Sequence, residues 1–322
     1  MPVEFLSEAD VRERLDPGQL IDALEAAFRD RYPNVIIPER PNAPLGYGSF
    51  LAMSCYDRGR HALGIKLIMV RDEPVRDQTN RDALPGEGRV HASYLLLDPD
   101  TAAPRLIVAA NHLTSLRTAA TSAVATEFLA RPDVSTLGIF GTGRLARAHL
   151  VALPLVRKFA RVLVCGRTQG RSQEFVQRMA GETAGLTLAV ADARTCAAES
   201  DVLCTCTTSP SPLFDGHDLR PGTHLNLVGA YQPHTREADT ETIRRSRVIV
   251  DTYTGAKTEM GALLIPLQEG AINDGHVAAD LHELVSGKKQ GRRTREEMTA
   301  FNSVGCALED LVAAELLLAA RP

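Results

Sequence analysis

An apolar run that ends in closely spaced glycines and passes straight into a helix-competent stretch limits what this chain can fold into. Leu137-Gly138-Ile139-Phe140-Gly141-Thr142-Gly143-Arg144-Leu145-Ala146 has the form G-x-G-x-x-A between an apolar strand and a helix. Gly141 permits a tight turn. Gly143 carries no side chain to block an approaching pyrophosphate, and Ala146 lets helix and strand pack closely. Amides at the helix N-terminus then face the anion. The spacing alone is weak evidence, and a glycine turn without a ligand is the alternative. At the head of a strand–helix series the same spacing predicts a dinucleotide site.

Such a series is present. Val134–Phe140 is followed by apolar runs at Val162–Gly166, Leu186–Val190, Val202–Thr205, His224–Val228 and Val248–Asp251, mostly separated by helix-competent segments. Apolar strands alternating with helices predict a parallel sheet buried on both faces. The expected fold is therefore α/β, with a Rossmann-type doubly wound domain over 118–298. Upstream, residues 4–31 read as helical, with Ser7 as N-cap and Asp10 completing an imperfect capping box. Residues 50–56, 62–70, 90–97 and 104–109 read as strands of a largely antiparallel α+β region. Asn302–Ala320 reads as a helix that returns to this region, which makes the first domain discontinuous, 1–117 with 299–322. The polar segment 71–89 reads as a long functional loop, with His91 and Ser93 just beyond it shaping a pocket.

Composition removes several classes of function. The formal net charge over 322 residues is −4, so no basic field draws in nucleic acid or anionic lipid. The N-terminus has early acids and lacks the apolar core of a signal peptide, and no apolar stretch approaches the roughly 20 residues of a membrane span. A cytoplasmic location is the expectation. The six cysteines form no C-x-x-C pair and read as small buried hydrophobes. The nine histidines show no metal-ligand spacing, so no metal is expected.

The choice of cofactor falls on Cys165-Gly166-Arg167-Thr168-Gln169-Gly170-Arg171. Sites for NAD tend to place an acid about here for the ribose 2′-hydroxyl. This segment has none. Arg167 and Arg171 suit a 2′-phosphate and Thr168 can donate to it, which points to NADPH, with NADH as the other possibility. A solvated basic loop is the alternative. Thr207, just past Val202–Thr205, joins the cofactor-binding candidates.

Three cations stand in apolar settings. Lys66 interrupts Leu63–Val70, Arg117 lies among small residues in Leu116–Ala123, and Arg40 follows Ile36-Ile37-Pro38-Glu39. A buried cation needs an anion. Either the three clamp a substrate carboxylate, or they form internal ion pairs with Asp or Glu. Asp310, beside Glu309, is either an inward-facing acid or part of a solvated helix face.

Taken in order, Leu116-Arg117-Thr118-Ala119-Ala120, the Gly141–Ala146 turn, Val228-Gly229-Ala230 and Phe301-Asn302-Ser303-Val304-Gly305-x-Ala307-Leu308-x-Asp310 resemble the ornithine cyclodeaminase/mu-crystallin family over nearly the whole chain. The resemblance implies a Rossmann domain plus a substrate domain that also builds a homodimer. It implies that Arg40, Lys66 and Arg117 hold the α-carboxylate of a small imino or amino acid, that Ser303–Gly305 lies near the nicotinamide, and that Asp310 is a recurrent acid. Where cyclodeaminases carry an Asp after Gly-Ala, this chain has Tyr231, a poor base at pH 7. The Gly-Ala-x-x-Pro-x-x-Arg-Glu form is similar to the reductase and dehydrogenase members. The reading is NAD(P)H-dependent reduction of a small cyclic or open-chain 2-imino acid to an L-amino acid, with Lys66, Arg117 and Tyr231 as catalytic candidates. The alternatives are an ornithine cyclodeaminase with recycled NAD and a protein that only binds NADPH and a small ligand.

Overall fold

The computed structural model describes residues 3–72, 89–183 and 185–320. Most of the expected loop at 71–89 lies outside these residues. The chain divides into two compact units, Met1–Thr121 with Cys306–Pro322, and Ser122–Gly305.

The first unit is built on a sheet that has seven strands among the described residues. These are β1 (Glu4–Leu6), β2 (Val35–Ile36), β3 (Asn42–Pro44), β4 (Gly48–Asp57), β5 (Ala62–Arg71), β6 (Val90–Leu97) and β7 (Pro104–Ala109). Their order is β1-β7-β6-β5-β4-β2, with β3 also paired to β4. All pairs are antiparallel except β1 with β7. Alternation along the strands puts Leu51, Met53 and Cys55 of β4, Ala92, Tyr94 and Leu96 of β6, and Leu106 and Val108 of β7 on a buried face. The helix Ala307–Ala319 packs on that face, with Ala307 through Ala314 and Leu317 buried. Its return into this unit joins the two ends of the sequence in one core.

Residues 4–31 are not one helix. Glu4–Leu6 pairs as a strand with β7, and helices run over Glu8–Arg14 and Pro17–Ala26, the second continuing into a wider π-turn at Ala27–Arg31. Pro17 has no amide hydrogen and fits only the first turn of a helix, so the chain breaks and restarts with Asp16 as cap. At the first break Ser7 and Asp10 form a reciprocal capping box.

The second unit holds an all-parallel sheet of eight strands. They are β8 (Thr136–Phe140), β9 (Arg161–Cys165), β10 (Thr187–Val190), β11 (Val202–Thr205), β12 (His224–Leu227), β13 (Ser246–Val250), β14 (Val277–Asp280) and β15 (Met298–Asn302). The order is β10-β9-β8-β11-β12-β15-β13-β14. The order turns between β8 and β11, which is where open α/β sheets bind ligands, outside the carboxyl ends of the strands. Every residue of β8, β11, β12 and β15 is buried.

Strands β14 and β15 escape a reading by apolar runs. β15 carries Thr299 and Asn302, buried because Thr299 Oγ1 donates to Leu129 O at 3.0 Å and Asn302 Nδ2 to Leu227 O at 3.2 Å. The domain limit drawn before residue 299 would cut through this strand, which lies between β12 and β13. Parallel pairing on both sides fixes β15 in the second unit, and the chain leaves that unit only after Gly305.

Candidate active site

In the second unit β8 ends in the glycine turn. Gly141 has φ +117°, and a Cβ there would lie 2.6 Å from Cys206 O, so a larger residue is both strained and blocked. Gly143 differs, since a Cβ there would meet nothing within 4 Å. Gly143 begins the helix Arg144–Val156, and no side chain caps it. Its first amides have no intrahelical acceptor. Ala146 is fully buried. Thr142, Gly143, Arg144 and Leu145 are half-buried at the rim. This arrangement fits a dinucleotide pyrophosphate.

At the end of β9, Arg167 is exposed and Arg171 half-buried. Thr168 caps the helix Gln169–Ala180, its hydroxyl oxygen accepting from Arg171 N at 3.5 Å, so its hydroxyl hydrogen is left for another acceptor. The adjacent Gly166 N donates to Ser172 Oγ at 2.8 Å, which shapes the loop.

Two buried carboxylates that sequence reasoning passed over organise the other carboxyl-end loops. Asp251 Oδ2 accepts from Ser303 Oγ (2.8 Å), Val304 N (2.8 Å) and Gly305 N (2.7 Å), and its Oδ1 from Thr252 N (2.6 Å). The Ser303–Gly305 turn is therefore held by Asp251, with the Ser303 hydroxyl already donating inward. Glu237 does the same after β11 and β12, taking both the amide and the hydroxyl of Thr207. Both donors of Thr207 are thus engaged by Glu237. Burial pushes Asp251 and Glu237 above the usual carboxylate range, with these donors pulling the other way. Asp251 ends an apolar strand and Glu237 follows an Arg in a loop. Only an acid placed against successive chain amides distinguishes them, and sequence spacing does not show that. Tyr231 is half-buried in the same unit, directly after Gly229-Ala230.

In the first unit Lys66, Arg117, Glu309 and Asp310 meet. Lys66 faces the buried side of β5, opposite Tyr94 and Met53. Its Nζ lies 2.7 Å from Asp310 Oδ1, with both side chains at 0% exposure. Arg117, on the helix Asn111–Leu129, donates from Nε to Asp310 Oδ1 at 3.0 Å and from Nη1 to Glu309 Oε2 at 2.6 Å. Glu309 Oε1 in turn accepts from Cys306 N at 3.0 Å, which ties it to the start of its own helix. The internal-pair alternative is therefore realised for Lys66 and Arg117, and both acids face inward.

The pairing leaves polar capacity unused. Asp310 Oδ2 and Tyr94 Oη are buried without a hydrogen-bond partner, and among the described residues Asp310 Oδ1 is the acceptor found for Lys66 Nζ. An ammonium has three donors, so this polar centre has hydrogen-bonding capacity beyond the one acceptor. Burial, the neighbouring Arg117 and, more weakly, Arg40 lower the Lys66 pKa to about 7, against the opposing pull of Asp310. For Arg117 burial works against the charge, but Asp310 and Glu309 outweigh it and hold the guanidinium ionised. Arg40 is half-buried in the segment between β2 and β3. Lys66 and Arg117 thus gather around Glu309 and Asp310, and the charge of Arg40 reaches Lys66 from further off.

His91 and Ser93 go elsewhere. On β6 they alternate with the buried Ala92 and Tyr94 and are exposed, so they point to the face of the sheet away from Lys66. Any pocket that they shape with the segment 71–89 therefore lies on the other face of β6 from Lys66.

A doubly wound sheet with an open glycine turn, joined in sequence to a unit holding a buried cluster of ion pairs, defines an α/β protein of the dinucleotide-binding class. The chain belongs to the ornithine cyclodeaminase/mu-crystallin family, whose model matches residues 3–319. It is 34% identical over 319 residues to a Δ1-pyrroline-2-carboxylate reductase of Colwellia psychrerythraea, covering 97% of each chain. It is 33% identical over 320 residues to the ketimine reductase mu-crystallin of Rattus norvegicus, covering 97% of this chain and 96% of the relative. The solved Thermococcus litoralis Δ1-pyrroline-2-carboxylate reductase, in complex with NADH and L-proline, superposes with a TM-score of 0.92 at 34% identity, covering 99% of this chain and 97% of that one.

Proposed function

We propose that this chain is an NAD(P)H-dependent reductase of small 2-imino acids, yielding L-amino acids, and that Δ1-pyrroline-2-carboxylate and its six-membered homologue are the first substrates to test. The observation that carries this reading is the buried meeting of Lys66 and Arg117 on Asp310, where Lys66 Nζ has three donors and Asp310 Oδ1 as its acceptor among the described residues, which suits the carboxylate of a small substrate. The complex of the Thermococcus litoralis relative with NADH and L-proline supports it.

When bound, the nicotinamide supplies the hydride for the imine carbon. The chain's residues do the rest. Gly143 and the amides of the following helix receive the pyrophosphate. Lys66, Arg117 and Arg40 orient the carboxylate, so that its charge does not have to be carried unpaired out of water. The product nitrogen gains one proton, and Tyr231 is the protein donor proposed for it. Arg167, Arg171 and Thr168, with no acid at the end of β9, support a preference for NADPH over NADH. Exposed Phe5, Leu45, Tyr47 and Phe50 on the first unit support a homodimer through that unit. No helix among the described residues is long and apolar enough to cross a membrane, in keeping with the cytoplasmic location expected from the sequence.

The test is an absorbance assay with NADPH or NADH against the two cyclic imines and against pyruvate with ammonia or methylamine. Oxidation of the cofactor with proline or pipecolate formed is the expected result. No turnover with any of them, or proline released from ornithine without added cofactor, overturns the reading.

A further inference from the structure

The loops at the carboxyl ends of β11 and β12 are joined by a single carboxylate. Glu237 is 2% exposed. Its Oε1 accepts from Thr207 N at 2.7 Å and Thr207 Oγ1 at 2.6 Å. Its Oε2 accepts from Thr205 Oγ1 at 2.8 Å, Gly229 N at 2.8 Å and Ala230 N at 3.2 Å. Three of these donors are main-chain amides, which can only donate. Each oxygen therefore faces at least one obligate donor, and the side chain works as a two-sided acceptor between two loops. The loops are in close contact as well. A Cβ on Gly229 would lie 2.1 Å from Thr207 O and 2.6 Å from Glu237 Oε1. Glu237 is itself fixed through its carbonyl, which accepts from Leu213 N at 2.9 Å.

The position of this junction gives it a consequence. A dinucleotide on such a sheet spans the point where strand order turns, here between β8 and β11. The glycine turn after β8 and the arginines after β9 serve the pyrophosphate and the adenosine half. The nicotinamide half then extends over β11 and β12, whose terminal loops are the two that Glu237 joins. Tyr231 follows Ala230 directly, so its main chain inherits the same placement.

We infer that Glu237 is a positioning residue for the nicotinamide half of the cofactor, acting through Thr207 and the Gly229–Tyr231 segment rather than by touching the ligand. This rests on the reading of the chain as an NAD(P)H enzyme. A shape-conserving Glu237→Gln turns an amide NH2 group onto one of the obligate donors, so one loop must move while the glycine turn and the end of β9 stay as they are.

The experiment compares full-length wild type with Glu237→Gln by calorimetric titration with NADPH and with 2′,5′-ADP, which carries the adenosine half alone. It adds steady-state rates with Δ1-pyrroline-2-carboxylate and with NADPH deuterated at C4. The expected result is a fall of tenfold or more in NADPH affinity with 2′,5′-ADP affinity unchanged within twofold. The kcat falls at least tenfold and its deuterium isotope effect grows. Equal weakening of both ligands, or no change in either, overturns the proposal. If the Gln variant does not fold, Thr207→Val removes one hydroxyl donor and keeps the amide. It should weaken NADPH at least threefold with the same indifference to 2′,5′-ADP, and loss of that selectivity is again decisive against the proposal. A wild type that binds NADPH but reduces no imine overturns the proposed reaction only, because the affinity comparison still decides the role of Glu237.

Discussion

Lys66 Nζ and Asp310 Oδ1 lie 2.7 Å apart with both side chains fully buried, although 244 residues separate them in the chain. The same oxygen also accepts from Arg117 Nε. Asp310 is therefore the hinge of the cationic cluster. It holds two like charges close together, and it offsets part of the cost of burying them.

Removing that acid should be costly. Asp310→Ala leaves Lys66 and Arg117 facing each other with Glu309 as their remaining carboxylate. Loss of one partner from a buried pair typically costs about 3–5 kcal/mol. Denaturant unfolding should show a loss of that order, and Lys66→Met in the same background should recover part of it. Additive losses in that double-mutant cycle would refute the coupling.

The lowered pKa of Lys66 makes anion binding sensitive to pH. The cause is burial, with Arg117 adding to it, and the value in the ligand-free protein is about 7. A carboxylate binds the ammonium form, so affinity is full below that pH. Above it each pH unit should weaken binding about tenfold, until the cost of protonating Lys66 exceeds what the ligand contributes. A titration with pyrrole-2-carboxylate from pH 6 to 9 measures this, with proton uptake on binding as an independent readout. A flat profile would show that Lys66 is not part of the anion site.

The two glycines of the turn should behave in opposite ways. Gly143→Ala meets nothing within 4 Å and sits at φ −103°, which any residue adopts. Stability should change by less than about 0.5 kcal/mol, while the KM for the cofactor rises at least tenfold because the methyl group occupies the pyrophosphate's approach. Gly141→Ala, at φ +117° and 2.6 Å from Cys206 O, should lose about 1–3 kcal/mol of stability. Thermal unfolding with and without NADPH separates the two.

The proposed preference for NADPH assigns the 2′-phosphate to Arg167 and Arg171. Replacing both with Ala should lower kcat/KM for NADPH about a hundredfold, about tenfold for each arginine–phosphate contact, and leave NADH within a few-fold. Equal losses with both cofactors would show that the pair does not read the 2′-phosphate.

Asp251 should matter through the turn it holds. Asp251→Asn keeps the shape but sets an NH2 group among the amides of Thr252, Val304 and Gly305. A loss of about 1–3 kcal/mol is expected, the usual cost of leaving buried donors unsatisfied. Hydrogen exchange should show faster opening of the Val304 and Gly305 amides than of the β8 strand.

The doubly wound sheet, the glycine turn and the basic end of β9 were legible because each depends on neighbours in the sequence: an apolar run long enough for a buried strand, a glycine where φ must be positive, an acid absent from a loop. The same local reading missed β14 and β15. The burial of Thr299 and Asn302 in β15 rests on hydrogen bonds to distant carbonyls rather than on apolar content.

By itself the sequence determined that a parallel sheet forms, that its first strand ends in a glycine turn leading into a helix, and that Lys66 and Arg117 must find anions, because unpaired charge in an apolar strand or helix is too costly to persist. Which anions they find was decided only by the tertiary fold. The helix Ala307–Ala319 returns across β4 to β7 and brings Glu309 and Asp310 to them, and the turns after β12 and β13 bring Glu237 and Asp251 to amides far along the chain. Packing distant segments into one core sets those pairings, and no spacing along the chain encodes a distance of 2.7 Å between residues 66 and 310.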